Sequence, residues 1–255
     1  MKVSLSQIST KLSRDNLSKH LEQIEIAKKN RSDVIVFPEL SMNGYSMMDL
    51  VFEDAYEINE FDVLKKKSVD IDILIGVALR EGYKIYNSAV YFSKGEILNI
   101  YHKNVLPNYG MFQEARFFFS GNEIETYKTD FGVALSVICE DLWSANTIEK
   151  IVSLKPDIVY VMASSPARVF EDNGLEIEKQ WDAILKTTAG LSGTYVVFVN
   201  RVGFEDGLGF WGGSRVVNAK SSVELKAPLF EECLLDVELS HKLSSTKKYL
   251  LRIES

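Results

Sequence analysis

Four stretches of this chain are apolar almost without interruption: "DVIVFP" (33–38), "GVALSVI" (132–138), "DIVYVMA" (157–163) and "TYVVFVN" (194–200). A strand sends successive side chains to opposite faces, so a run of this kind is apolar on both sides and needs cover on both. The intervening segments offer that cover. Leu17, Leu21 and Ile24 fall on one face of a helix over Asp15–Asn30, and helices are also expected near Ala55–Lys67, Asn146–Ser153 and Leu175–Leu191. Runs from Ile71, Lys84 and Glu96, separated by Gly82 and Gly95, read as strands joined by tight turns. The opening "KVSLSQI" alternates Val3, Leu5 and Gln7 with Ser4 and Ser6, as a first strand would. Strands that alternate with helices and include hairpin pairs point to sheet layers covered by helices.

With 255 residues, 46% of them hydrophobic, the chain can fill one large core. No Ser/Gly/Pro linker, repeat or low-complexity tract divides it, so residues 1–255 are read as a single domain. The formal net charge of -7 and the scattered basic residues argue against a nucleic-acid partner. The one basic cluster, Lys65 to Lys67, is read as a solvated helix end. No apolar run approaches the roughly 20 residues that cross a bilayer, and "MKVSLSQIST" has no signal-peptide core. Cys139 and Cys233 are too few for a disulfide framework. The expectation is a soluble cytoplasmic protein that does not engage membranes.

Glu39, Lys103 and Cys139 each stand just past a strand-like run, where open sheets present functional side chains. A free thiol with a pKa near 8.5 is only a few per cent thiolate at neutral pH, so a nucleophilic cysteine needs a base or a cation beside it. Glu39 could be the base. Lys103 could be the cation or, with the backbone N–H of Glu140, hold an oxyanion. Free cysteine is also among the most buried residue types, and the residues alone leave a structural role for Cys139 open. Histidine is the usual partner of a catalytic cysteine, but His20 lies on a helix, His241 in the polar tail, and His102 points away from Lys103 if the two share a strand.

Other signals are weaker. "GLGFWG" (207–212) matches a dinucleotide-loop pattern but runs into the strand-like "GSRVVNA", so a turn between strands is the expected reading. A metal held by Cys139, Glu140, Asp141 and His102 lacks the usual ligand spacing, and Glu140 and Asp141 read better as caps of the following segment. No GxSxG elbow is present, and Phe117, Phe118 and Phe119 read as loop anchors.

Three blocks, "VIVFPELSMNGYSMMDL", "KNVLPNYGMFQEARFF" and "VICEDLW", resemble the active-site blocks of the nitrilase, or carbon–nitrogen hydrolase, superfamily. The "QI" opening, the tryptophan of helix 175–191, "YVVFVNRVG" and "FWGGSRVV" follow in the family's order. The resemblance implies a four-layer αββα sandwich with two central mixed sheets. It implies Glu39 as base, Lys103 as oxyanion stabiliser, Cys139 as nucleophile and Glu114 as an assisting carboxylate. "LPNYGMFQE" and "CEDLW" look most like the glutaminase domain of glutamine-dependent NAD synthetases, so the implied substrate is glutamine or another small primary amide. By the same resemblance Tyr109, Glu140 and Trp143 line the pocket, and Ser164, Ser165 and Arg168 hold the substrate's polar end. No cofactor or metal is implied. Family members usually pair through helices beside the nucleophile strand, so a homodimer or larger assembly is expected.

"GYSMMDL" stands where those glutaminases tend to have "GYPPEDL", and no SGGxDS-like ATP loop occurs. The expectation is therefore a free-standing amidase, or a glutaminase subunit feeding ammonia to a synthetase partner. Nitrilases and N-carbamoyl amidohydrolases share the chemistry. A non-catalytic binding module on the same sandwich is the rival from another class.

Overall fold

The structure, a computed structural model, describes residues 1–171 and 174–239. Two six-stranded sheets form its centre. The first runs β16 (Cys233–Glu238), β1 (Lys2–Gln7), β2 (Val34–Val36), β3 (Asp72–Glu81), β4 (Lys84–Ser93) and β5 (Glu96–His102). The second runs β15 (Val223–Lys226), β14 (Arg215–Val217), β11 (Tyr195–Asn200), β8 (Ile158–Ala163), β7 (Gly132–Ile138) and β6 (Tyr127–Thr129). Both are mixed in the same way. β1, β2 and β3 are parallel neighbours flanked by antiparallel strands, as are β7, β8 and β11.

Period-two alternation sorts the side chains between layers. On β2, Val34 and Val36 face the second sheet, in one core with Tyr160, Met162 and Val197. Ile35 and the following Phe37 face outward, packing with Ile24 and Ala27 of α1 (Asn16–Lys29). Leu64 of α3 (Asp62–Lys67) joins that outer layer. On the far side, Ile151 of α5 (Ala145–Leu154) and Trp181, Leu185 and Ala189 of α6 (Glu176–Ser192) cover the second sheet. The result is the expected four-layer αββα sandwich. None of its described helices is long and apolar enough to cross a membrane.

Two local expectations differ from the structure. The helix expected from Ala55 is shorter: α2 (Val51–Asp54) precedes it, Tyr56 is extended and bridges Leu79, and a 3₁₀ turn at Ile58–Phe61 leads into α3. Tyr56 ties this connection to the sheet edge, since its N–H donates to Ala78 O and its O accepts from Arg80 N. The alternation of β1 marks two buried faces, because Ser4 and Ser6 are as buried as Val3 and Leu5. Ser4 Oγ donates to Asp236. The glycine-rich stretch is a hairpin, β12 (Val202–Glu205) and β13 (Leu208–Trp211). Its turn residues, Asp206 and Gly207, both have positive φ, as a two-residue type I′ turn requires. The small elements β9 (Phe170–Glu171), β10 (Gly174–Leu175) and α4 (Glu114–Phe117) lie on loops at the strand ends. His241 falls outside the described residues.

Candidate active site

Both sheets deliver side chains to one place. Glu39 follows β2, Lys103 follows β5, Cys139 follows β7 and Ser164 follows β8. Glu39 reaches its place because β3 lets the backbone pass closely: a Cβ at Gly76 would meet Pro38 O at 2.3 Å and Glu39 Cα at 2.8 Å. The Lys103 backbone is fixed by its N–H, which donates to Asn87 O at 2.8 Å.

Glu39 and Lys103 are both 0% exposed. Lys103 Nζ donates to Glu39 Oε1 at 2.7 Å and to Glu114 Oε1 at 2.8 Å. Asn87 Nδ2 donates to Glu39 Oε1 at 2.8 Å, and Ser164 N donates to Glu39 Oε2 at 2.7 Å. Tyr45 Oη donates to Glu114 Oε1 at 2.5 Å. A buried ammonium is tolerable only when paired and hydrogen-bonded, and here two carboxylates meet it. Burial alone would push the Lys103 ammonium down, but Glu114 and Glu39 hold it well above its ordinary value. Burial lifts the Glu114 carboxyl to about 7, Lys103 opposing and Glu39 adding.

Cys139 opens a 3₁₀ turn (Cys139–Trp143) with φ 45°, a left-handed conformation that costs a non-glycine residue about 1–3 kcal/mol. Burial and the neighbouring Glu39 carboxylate raise its thiol well above the ordinary value, with Lys103 pulling the other way. The resting thiol is therefore protonated, and its proton has to leave as the sulfur attacks.

Asp141 holds the lysine and cysteine loops together. Its Oδ1 accepts from Asn104 N at 3.0 Å and Val105 N at 2.8 Å, while Oδ2 accepts from Ile138 N at 3.0 Å and Tyr101 Oη at 2.8 Å. Rather than capping the segment that follows, as expected of it and Glu140, Asp141 closes the start of its own turn through Ile138 N and clamps two strand ends. Tyr45 is anchored comparably: Glu205 Oε1 accepts from Tyr45 N and Ser46 N, and Arg201 Nη1 donates to Glu205 Oε2 at 2.9 Å.

Above this floor lies a cavity of about 270 Å³ with Cys139 and Glu114 in its wall. Tyr109, Glu140, Trp143, Ser165 and Arg168 line it as well. Tyr109 Oη donates to Glu140 Oε1 at 2.8 Å, and Trp143 packs edge-on against Trp181. Ser165 Oγ accepts from the indoles of Trp181 at 3.0 Å and Trp211 at 3.2 Å, so its own proton is left to donate. Arg168 sits over the Phe112 ring, and its buried Nε has no hydrogen-bond partner. Ser164 does not line the cavity; its Oγ donates to Glu39 O at 2.8 Å, which places it behind the carboxylate. Met47 and Met48 of the divergent "GYSMMDL" line a second cavity of about 270 Å³ that shares Tyr45, Phe112 and Glu114 with the first.

The two described histidines take no part: His20 is enclosed between Asn16 O and Ser41 Oγ, and His102 pairs with Ser88 and Glu81 on the sheet surface. Among the described residues no cluster of three or more His, Cys, Asp or Glu side chains is arranged to hold a metal. Sequence reasoning missed Asn87, Tyr45 and Gly76. The only local signal was polar "NS" inside the otherwise apolar β4.

A four-layer sandwich with a carboxylate, an ammonium and a thiol gathered at strand ends from both sheets defines a class of α/β protein in which one sheet complements the other. A carbon–nitrogen hydrolase profile matches residues 2–248, and the chain belongs to that family. The glutamine-dependent NAD(+) synthetase of Acinetobacter baylyi is 33% identical over 264 residues, covering 97% of this chain and 46% of the relative. That of Thermotoga maritima is 32% identical, covering 94% and 42%. The chain thus spans less than half the length of these relatives. The solved glutamine-dependent NAD+ synthetase of Acinetobacter baumannii superposes with a TM-score of 0.81 at 33% identity, over 92% of this chain and 44% of that one. A carbon–nitrogen hydrolase from Helicobacter pylori has a TM-score of 0.86 at 21% identity over 99% and 94%, a likeness of fold.

Proposed function

We propose that the chain is an amidase that cleaves a small primary amide to acid and ammonia through a cysteine thioester, with glutamine as the favoured substrate. The observation that carries this is the buried Glu39–Lys103–Glu114 network beside the Cys139 thiol at the cavity wall. Glu39 takes the Cys139 proton as sulfur attacks the amide carbon. Lys103 and the Glu140 N–H hold the oxyanion. The C–N bond breaks as Glu39 returns the proton to the departing ammonia, and a water deprotonated by Glu39 then cleaves the thioester.

Glutamine is favoured because the cavity offers complementary ends. Arg168 and the Ser165 hydroxyl suit an α-carboxylate. Glu140, with Tyr109 on Oε1, keeps Oε2 for an α-ammonium. The relatives' names support a second reading, in which the ammonia passes to a synthetase partner. We read the chain as one domain, working as a homodimer or larger in the cytoplasm.

The test is ammonia release from glutamine, ω-amides, N-carbamoyl amines, aliphatic amides and nitriles, with intact-mass detection of an acyl adduct on Cys139. Release from glutamine with an adduct on Cys139 is expected. Silence across the panel from folded protein would favour the binding-module reading.

A further inference from the structure

Asn87 lies in the middle of β4, fully buried, with one end of its amide engaged and the other idle. Nδ2 donates to Glu39 Oε1 at 2.8 Å, while Oδ1 has no hydrogen-bond partner. A buried orphan acceptor destabilises the fold, and an apolar side chain of similar size would remove that defect. A side chain kept at such a cost is there for its other end. Its backbone serves the same site, since Asn87 O accepts from Lys103 N.

The lone pairs of Glu39 show what the amide does. A carboxylate offers about two acceptor positions on each oxygen. Oε1 is filled by Lys103 Nζ and Asn87 Nδ2, whereas Oε2 holds only the Ser164 N–H among the described residues. We propose that Asn87 is a positioning residue that saturates Oε1, so that Glu39 takes the Cys139 proton on Oε2. The inference rests on Glu39 acting as the base. Without the amide, Oε1 has an open position, and the proton can settle there, turned away from productive transfer.

The titratable groups that face Glu39 are Lys103 after β5, Glu114 on α4, Cys139 after β7, Tyr45 after β2 and Arg201 after β11. Asn87 Nδ2 and the Ser164 N–H are the neutral donors to Glu39. Losing a donor to a carboxylate raises its pKa, so the low-pH limb of any Glu39-dependent rate must move to higher pH.

The experiment compares wild type with Asn87→Leu and the isosteric Asn87→Asp. The first readout is the pH dependence of Cys139 alkylation by iodoacetamide, followed by intact mass; the second is ammonia release from glutamine. For Asn87→Leu the expected result is melting temperature unchanged or higher, kcat lower by about 10- to 100-fold with little change in KM, and the low-pH limb of alkylation moved upward. Asn87→Asp, which sets a second carboxyl against Glu39, moves the limb further. If Asn87→Leu does not fold, Asn87→Asp alone decides. A limb at the wild-type pH in the folded variants overturns the proposal. A wild type that releases no ammonia, with the limb still moved in the variants, removes the glutamine reading and supports this one.

Discussion

The floor of the cavity and its rim are built by different means. On the floor, Glu39 and Lys103 are sealed from water and tied by short charge-assisted hydrogen bonds. At the rim, Tyr109 is 52% exposed and held by Glu140 and the edge of Phe112, and Trp143 is 38% exposed and packs against Trp181. The floor pairs its buried charges in one connected network, whereas the rim side chains stand partly in solvent. In the proposed reaction, chemistry falls to the buried floor and selectivity to the more exposed rim.

The hardest way to break this division is Cys139→Ala. Turnover should fall by at least about 10,000-fold with the melting curve intact, and activity near the wild-type level would sink the nucleophile assignment. Next is Lys103→Met, expected to lower kcat by about 1,000-fold. Because it leaves Glu39 and Glu114 as facing buried carboxylates, it should also destabilise the fold by about 3–5 kcal/mol, and denaturant melts read that loss directly. A rim substitution should behave otherwise. Arg168→Ala is expected to raise KM for glutamine about 10-fold with kcat nearly unchanged, and a collapse in kcat instead would erase the distinction between rim and floor.

The smallest effect is one of pH. Glu114 in the fold titrates at about 7, above its unfolded value near 4.5, so the folded state binds this proton more tightly. Its contribution to stability is full below the unfolded value and is lost as pH rises through the folded one. The stability of wild type relative to Glu114→Gln should therefore decline between about pH 5 and about pH 8. Equal spacing of the two melts at both ends would contradict it.

Sequence alone made the floor half legible. Glu39, Lys103 and Cys139 could be picked out because each follows an apolar run, and a strand end is a local event that pattern can locate. Asn87 and Tyr45 could not, since Asn87 meets Glu39 across 48 residues of chain and Tyr45 meets Glu114 across 69. Ser164 was expected at the substrate and instead braces Glu39 from the opposite sheet. The shortened helix after Ala55 was missed for a related reason: Tyr56 gives up helical bonding for Ala78 and Arg80 on the sheet edge, a tertiary preference that local propensity does not contain.

The base comes from one sheet and the thiol from the other, and the Ser164 N–H that fixes Glu39 crosses between them. Neither sheet alone brings a base to the cysteine. In the proposed reaction, the thiol therefore gains its base only when the two halves of the sandwich close. On the proposed reading, the return of ammonia release during refolding serves as a clock for sheet docking, separate from the earlier appearance of secondary structure.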